Sequence, residues 1–179
     1  MRGLPSSIAI LSQVTPPAAL ALVVALHGEV DRAARPLHVL HASRLHCKSG
    51  CSGCCEDDLT VFDVEAEPIR AHHAALLAHG IPHAIGSCAF LDAAGACRIY
   101  AQRPYVCRTQ GLPLRWTDAE LGAELRDICP LNEAGSPIEA LEADACWTLG
   151  PVEERLARLQ LAAAPTAGRI ALRTLFSAK

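Results

Sequence analysis

The residues with the greatest chemical capacity are nine cysteines, and four of them, Cys47, Cys51, Cys54 and Cys55, fall within nine residues. Cysteines at this density form either a disulfide framework or a metal site. The adjacent pair Cys54 and Cys55 is poor material for long cross-links, and the count is odd, so metal is the better reading. On a helical or turn-like backbone, Cys47, Cys51 and Cys54 converge on one face. Cys55 lies four residues after Cys51, but on a helix it points about 100° away from Cys54, which predicts that one of the pair serves a different ligand set. A tetrahedral site takes four thiolates, commonly two from a tight turn and two from a distant segment. Cys88, Cys97 and Cys107 are the distant candidates, and Cys129 brings the tally to eight. Eight thiolates suit two four-ligand sites, or one such site with a few structural thiols, and spacing leaves zinc and iron–sulfur both open.

The residues between the cysteines fit the same chemistry. Ser49, Gly50, Ser52 and Gly53 are small enough for the backbone to pass close to a metal with its N–H groups aimed at sulfur. Arg98, Arg103 and Arg108 could balance thiolate charge or form ordinary surface ion pairs. His38, His41 and His46 precede the cluster and could supply a mixed Cys/His site, although eight histidines make accidental proximity easy. Cys146 reads as a small buried hydrophobe, Glu56, Asp57 and Asp58 as a solvated acidic surface, and Tyr100 and Tyr105 as packing around the cluster. No nucleophile with a partnered base stands out, and no catalytic residue is assigned.

These residues resemble the YkgJ, or CxxCxxCC, family of cysteine-cluster domains that chelate zinc or iron. The resemblance rests on Cys47-x-x-x-Cys51-x-x-Cys54-Cys55, Cys88-Ala89-Phe90-Leu91, Cys97-Arg98-Ile99-Tyr100, Arg103-Pro104-x-x-Cys107-Arg108 and Cys129-Pro130. It covers roughly residues 47–130, and Leu131 stands where the family often has glycine. It implies that Cys47, Cys51, Cys54, Cys55, Cys88, Cys97 and Cys107, with Cys129, form the metal-binding set. Larger proteins with a similar cluster, the flagellin lysine methylases, carry an iron–sulfur centre. That favours an iron–sulfur cluster over Zn2+ here, although the chain lacks the additional domain such an enzyme needs. The first function expected is therefore a metal-binding module acting through a protein partner or as a carrier. The alternative is an iron–sulfur redox or methyl-transfer accessory enzyme, since Cys47-x3-Cys51-x2-Cys54 is also a radical SAM spacing; against it, no strand-helix alternation of a barrel follows.

The elements that must position these thiols are mostly helical. The chain has 179 residues and 51% apolar content with few aromatics, enough for one core and rich in helix formers. Pro16 and Pro17 open a helix expected over 16–34, on which Leu20, Val23, Val24 and His27 share a face, and Pro36 should end it before a second helix carrying Leu37, Leu40 and Leu45. A helix is expected over 65–79, ended by Gly80 and with Pro68 in its first turn. Residues 88–100 read as a hairpin that brings Cys88 and Cys97 together, and 112–128 as a second hairpin, with a capping box at Thr117 and Glu120 as the competing reading. Ser136-Pro137-Ile138-Glu139 predicts a helix over 137–149, and Pro151 opens another with Val152, Leu156, Leu159 and Ala163 on one face, followed by a basic tail over 169–179. The expected fold is mainly α with short β-hairpins: a small metal-organised cysteine-cluster domain (41–131) between helical flanks at 1–40 and 132–179.

The formal charge of −3 supplies no basic field for nucleic acid. No apolar run reaches membrane-spanning length, and the segment 18–26 lacks the flanks of a signal peptide. A reducing cytoplasm, where clustered cysteines mean metal or redox chemistry, is the expected compartment.

Overall fold

A computed structural model describes residues 14–176. The fold is mainly α with short strand pairings. Its longest element, α1 (Pro16–Leu40), buries Ala19, Val23, Leu26, His27, Val30, Ala34 and Leu37 along one stripe. Val24, expected on that face, is instead 49% exposed. Pro36 does not end the helix. Its ring faces solvent, and it forfeits one backbone hydrogen bond, whereas continuing the helix keeps Leu37 on the buried stripe beneath Ala34. Leu26, Val30, Ala34 and Leu37 of that stripe pack on Tyr105, Leu112, Leu114, Trp147 and Leu156, and Ala19 and Val23 pack on Val64. The second helix expected after Pro36 is absent; the backbone turns at His41 and delivers Leu45 to the rim of the same core.

The strand β1 (Thr60–Phe62) leads through a 3-10 turn at Asp63–Ala66 into α2 (Glu67–His72) and α3 (Ala74–His79). One helix was expected here. The break at His73 re-aims the chain: in an unbroken helix Ile69 and Leu77 stand about 80° apart round the axis, and here both enter one core with Phe90, Ile99 and Leu172. Residues 88–100 form a tight turn at Asp92–Gly95 with a single bridge, Leu91 to Cys97, instead of a full hairpin. The short helix α4 (Tyr105–Thr109) follows.

The second hairpin forms as expected, from β2 (Leu114–Asp118) and β3 (Ala123–Asp127). Thr117 lies within β2, so the competing capping box is not realised. The helix expected over 137–149 does not form. Ile138–Ala140 and Ala143–Ala145 are 3-10 turns, and Trp147–Thr148 is a strand, β4, parallel to β2. Two tertiary contacts account for this. The Arg126 guanidinium takes the carbonyls of Ile138 and Leu141, and Trp147 enters the α1 core with its indole N–H donating to Tyr105 Oη at 2.9 Å. The last helix, α5 (Pro151–Ala163), buries Leu156 and Gln160, with Val152, Leu159 and Ala163 against the core, as its pattern predicts. Arg169–Ala171 then forms β5, antiparallel to β1. Residues 1–13 and the tail at 177–179 lie outside the described part. No helix among the described residues is long and apolar enough to cross a membrane.

Two polar ties join these parts. Glu65, 4% exposed, accepts the Tyr105 N–H at the start of α4 and meets His27 of α1 at 3.3 Å. Because removing one member of a buried pair strands the other, Glu65→Leu should cost about 3 kcal/mol, and Glu65→Gln clearly less, in urea unfolding. The second tie is Arg173, which pairs with Asp57 and donates to the carbonyls of His83, Ala84 and Ser87. The Gly86 N–H, and then Arg173, hold the Asp57 carboxyl below the usual carboxylate range. A depressed folded-state pKa gives stability that is present above the unfolded pKa, about 3.9, and lost as pH falls through the folded value. Unfolding titrations at pH 7 and pH 3 should therefore show Asp57→Asn losing less stability on acidification than the unsubstituted chain.

Candidate metal centre

Turns, more than helices, build the site. Residues 48–51 and 52–55 form two successive turns, closed by Cys51 N–H to Lys48 O at 3.0 Å and Cys55 N–H to Ser52 O at 2.9 Å. Cys88 N–H donates to Cys55 O at 2.8 Å, which sets the next cysteine segment beside the first. The Asp92–Gly95 turn rests on the same loop, since a Cβ on Gly95 would come within 3.2 Å of Gly50 O. Glycine there permits the approach of two backbones. Cys107 arrives from α4, whose first N–H is held by Glu65.

These segments wall one cavity of about 630 Å³, lined by Cys47, Cys51, Cys54, Cys55, Cys88, Cys97 and Cys107. Leu59, Leu91, Ile99, Val106 and Leu172 supply apolar wall, and Lys48, Glu56, Tyr100 and Arg103 also face it. Cys54 and Cys55 both line this one cavity. The divergence expected of adjacent cysteines belongs to a helix, and these two sit on a turn. Cys129 is not part of the lining. Cys146 lies elsewhere, buried, with Arg126 Nη1 at 4.0 Å from its sulfur. None of the nine cysteines is disulfide-bonded.

The thiols act on one another electrically. Cys55 donates its thiol proton to the Cys54 sulfur, and this hydrogen bond brings Cys54 down to about 6. The same bond, with burial, pushes Cys55 far up. Burial, then the charges of Cys88 and Cys97, push Cys107 up to about 12. Burial also raises Cys88 and Cys97, opposed by hydrogen bonds from the Phe90 and Ile99 backbone N–H groups to their sulfurs. Arg98 and, for Cys97, Arg103 favour the thiolates as well. Thiols raised by burial and mutual repulsion ionise when a cation offsets both costs, which is the chemistry of a metal-binding set.

Among the described residues, no group of three or more His, Cys, Asp or Glu side chains is drawn close enough to hold an ion as it stands. Thiolates bound to zinc sit about 2.3 Å from the ion, so these sulfurs would have to close in by movement of the turns that carry them. The donor set fits a thiophilic metal: five thiols whose charges act on one another, two of them already receiving N–H bonds, around one cavity.

The histidines do not join this wall. His41 is buried with Nε2 at 2.7 Å from Ala145 O, and the His46 backbone N–H goes to Asn132 Oδ1. Of the arginines, Arg108 is a structural cation, buried against Asp31 at 2.7 Å, whereas Arg103 stacks 4.1 Å from the Tyr100 ring centre at the cavity edge. Tyr105 packs in the α1 core. Asp57, expected on a solvated surface, is engaged by Arg173. Sequence reasoning missed Glu65, Asp57 with Arg173, and Asn132, which is fully buried and donates Nδ2 to Cys47 Sγ at 3.5 Å. None of these polar residues has a distinguishing pattern along the chain.

No curated protein and no solved structure matches this chain. A family model does match, over residues 46–130, and that segment contains the cavity cysteines. Residues 46–130 are similar to the CxxCxxCC family, whose description reads "Putative zinc- or iron-chelating domain".

Proposed function

We propose that the chain is an iron-binding module that holds an iron–sulfur cluster on thiolates of Cys47, Cys51, Cys54, Cys55, Cys88, Cys97 and Cys107. The observation that carries this reading is the single cavity of about 630 Å³ walled by all seven. One tetrahedral zinc uses four sulfurs and the space of one ion, and this cavity offers more of both. The N–H donors on Cys88 and Cys97 and the apolar wall are the features that tune a cluster's potential. Such a centre would supply one-electron exchange, while the chain's own residues hold it, shield it and offset its charge through Arg98 and Arg103. Cys129 is an eighth candidate, standing outside the cavity wall.

Anaerobic purification followed by absorbance and elemental analysis tests this. A brown protein with iron and acid-labile sulfide is expected; colourless protein with stoichiometric zinc would overturn the iron–sulfur assignment, and protein with neither metal would overturn metal binding. Cys107→Ser should lose most of the bound metal. It should also melt about 5 °C or more below the loaded parent, since bound ligand at 100 times its Kd contributes about 2.7 kcal/mol. Cys146→Ala, distant from the cavity, should keep its metal; equal metal content in both variants would contradict the site.

A further inference from the structure

We propose that Asn132 is a positioning residue for this centre, holding the sulfur of Cys47 through its side-chain amide; the proposal rests on the metal-binding reading above. Asn132 lies beyond the family segment and is 0% exposed. Its side chain uses both ends. Oδ1 accepts the His46 N–H at 2.8 Å, and Nδ2 donates to Gly111 O at 2.8 Å and to Cys47 Sγ at 3.5 Å. These partners also settle the amide orientation. A flipped side chain would set NH2 against an N–H and oxygen against a carbonyl, so it is the donor end that faces sulfur.

Its backbone is fixed too, with Asn132 N–H donating to Cys129 O at 2.7 Å. That gives the Cys129-Pro130 turn a place in the site: it presents Asn132 to Cys47. A purely structural tie would be complete with the two backbone partners. The remaining amide hydrogen meets a sulfur, a weak acceptor as a thiol and a much stronger one as a thiolate. Gly111 makes the same point from the other side. A Cβ there would stand 2.6 Å from Cys47 Sγ and 3.2 Å from Asn132 Nδ2, at φ 94°. The backbone at Gly111 is therefore shaped to let this sulfur lie against it. Cys47 is otherwise exposed and on a loop, so the Asn132 amide is what restrains it toward the cavity.

The full chain loaded with cadmium-113 offers a direct test by NMR. A scalar coupling through sulfur is expected from cadmium to the Asn132 side-chain amide proton, alongside couplings to the Phe90 and Ile99 backbone amides. Couplings to Phe90 and Ile99 without one to Asn132 would overturn the proposal and leave the metal-binding reading intact. Failure of cadmium to engage any cysteine would overturn both. Asn132→Asp keeps the acceptor for His46 and removes the donor. In its loaded form Cys47 should become open to iodoacetamide while Cys107 stays protected, with cadmium affinity about tenfold or more lower. Unchanged Cys47 protection in that folded variant would also overturn the proposal.

Discussion

Thiols gathered at one cavity repel one another once more than one is ionised, and the fold must hold them there against that repulsion. Burial, and after it the charges of Cys88 and Cys97, push Cys107 up to about 12. The holding is done largely from outside the cysteine loops. Glu65 fixes the start of α4 and thereby Cys107, and Arg173 binds the loop of Asp57 to the carbonyls before Cys88. The backbone bond from Cys88 to Cys55 joins the two cysteine segments directly. A bound cation would remove the repulsion, so metal binding and folding share one free energy.

The non-cysteine parts of the chain follow from this need for a rigid frame. The long stripe of α1 packs on Tyr105, two residues before Cys107, and on Trp147, whose indole holds the Tyr105 hydroxyl. The other core, around Phe90 and Ile99, backs directly onto Cys88 and Cys97. The two amides that donate to those sulfurs belong to the same two buried residues, so the core that stabilises the fold also aims the donors. The turns from 47 to 55 lie outside these cores and are tied to them by the Cys88 N–H to Cys55 O bond and by Asn132 at Cys47.

Much of the site was legible because metal chemistry is written in residue type. Seven of the eight candidate cysteines do wall one cavity, and the hairpin at 114–127 and the helix after Pro151 follow from local turn and capping signals. What was not legible depended on contacts between distant residues. Pro36 is a helix breaker only where nothing beyond it must stay buried, and Leu37 must. The stretch 137–149 has a good helix start, but Arg126 and Trp147 draw its backbone elsewhere. Asn132 and Glu65 are ordinary polar letters whose importance comes from burial, and the relative direction of Cys54 and Cys55 is set by a turn and not by a helix.

On the proposed reading sulfur alone, from cysteine and from the cluster's own sulfide, surrounds the metal. X-ray absorption at the metal edge of the purified protein tests it most directly. A first shell made only of sulfur, at about 2.3 Å, is the predicted result. A shell dominated by nitrogen or oxygen would contradict it, because it would place the metal on histidines or carboxylates outside the thiol cavity.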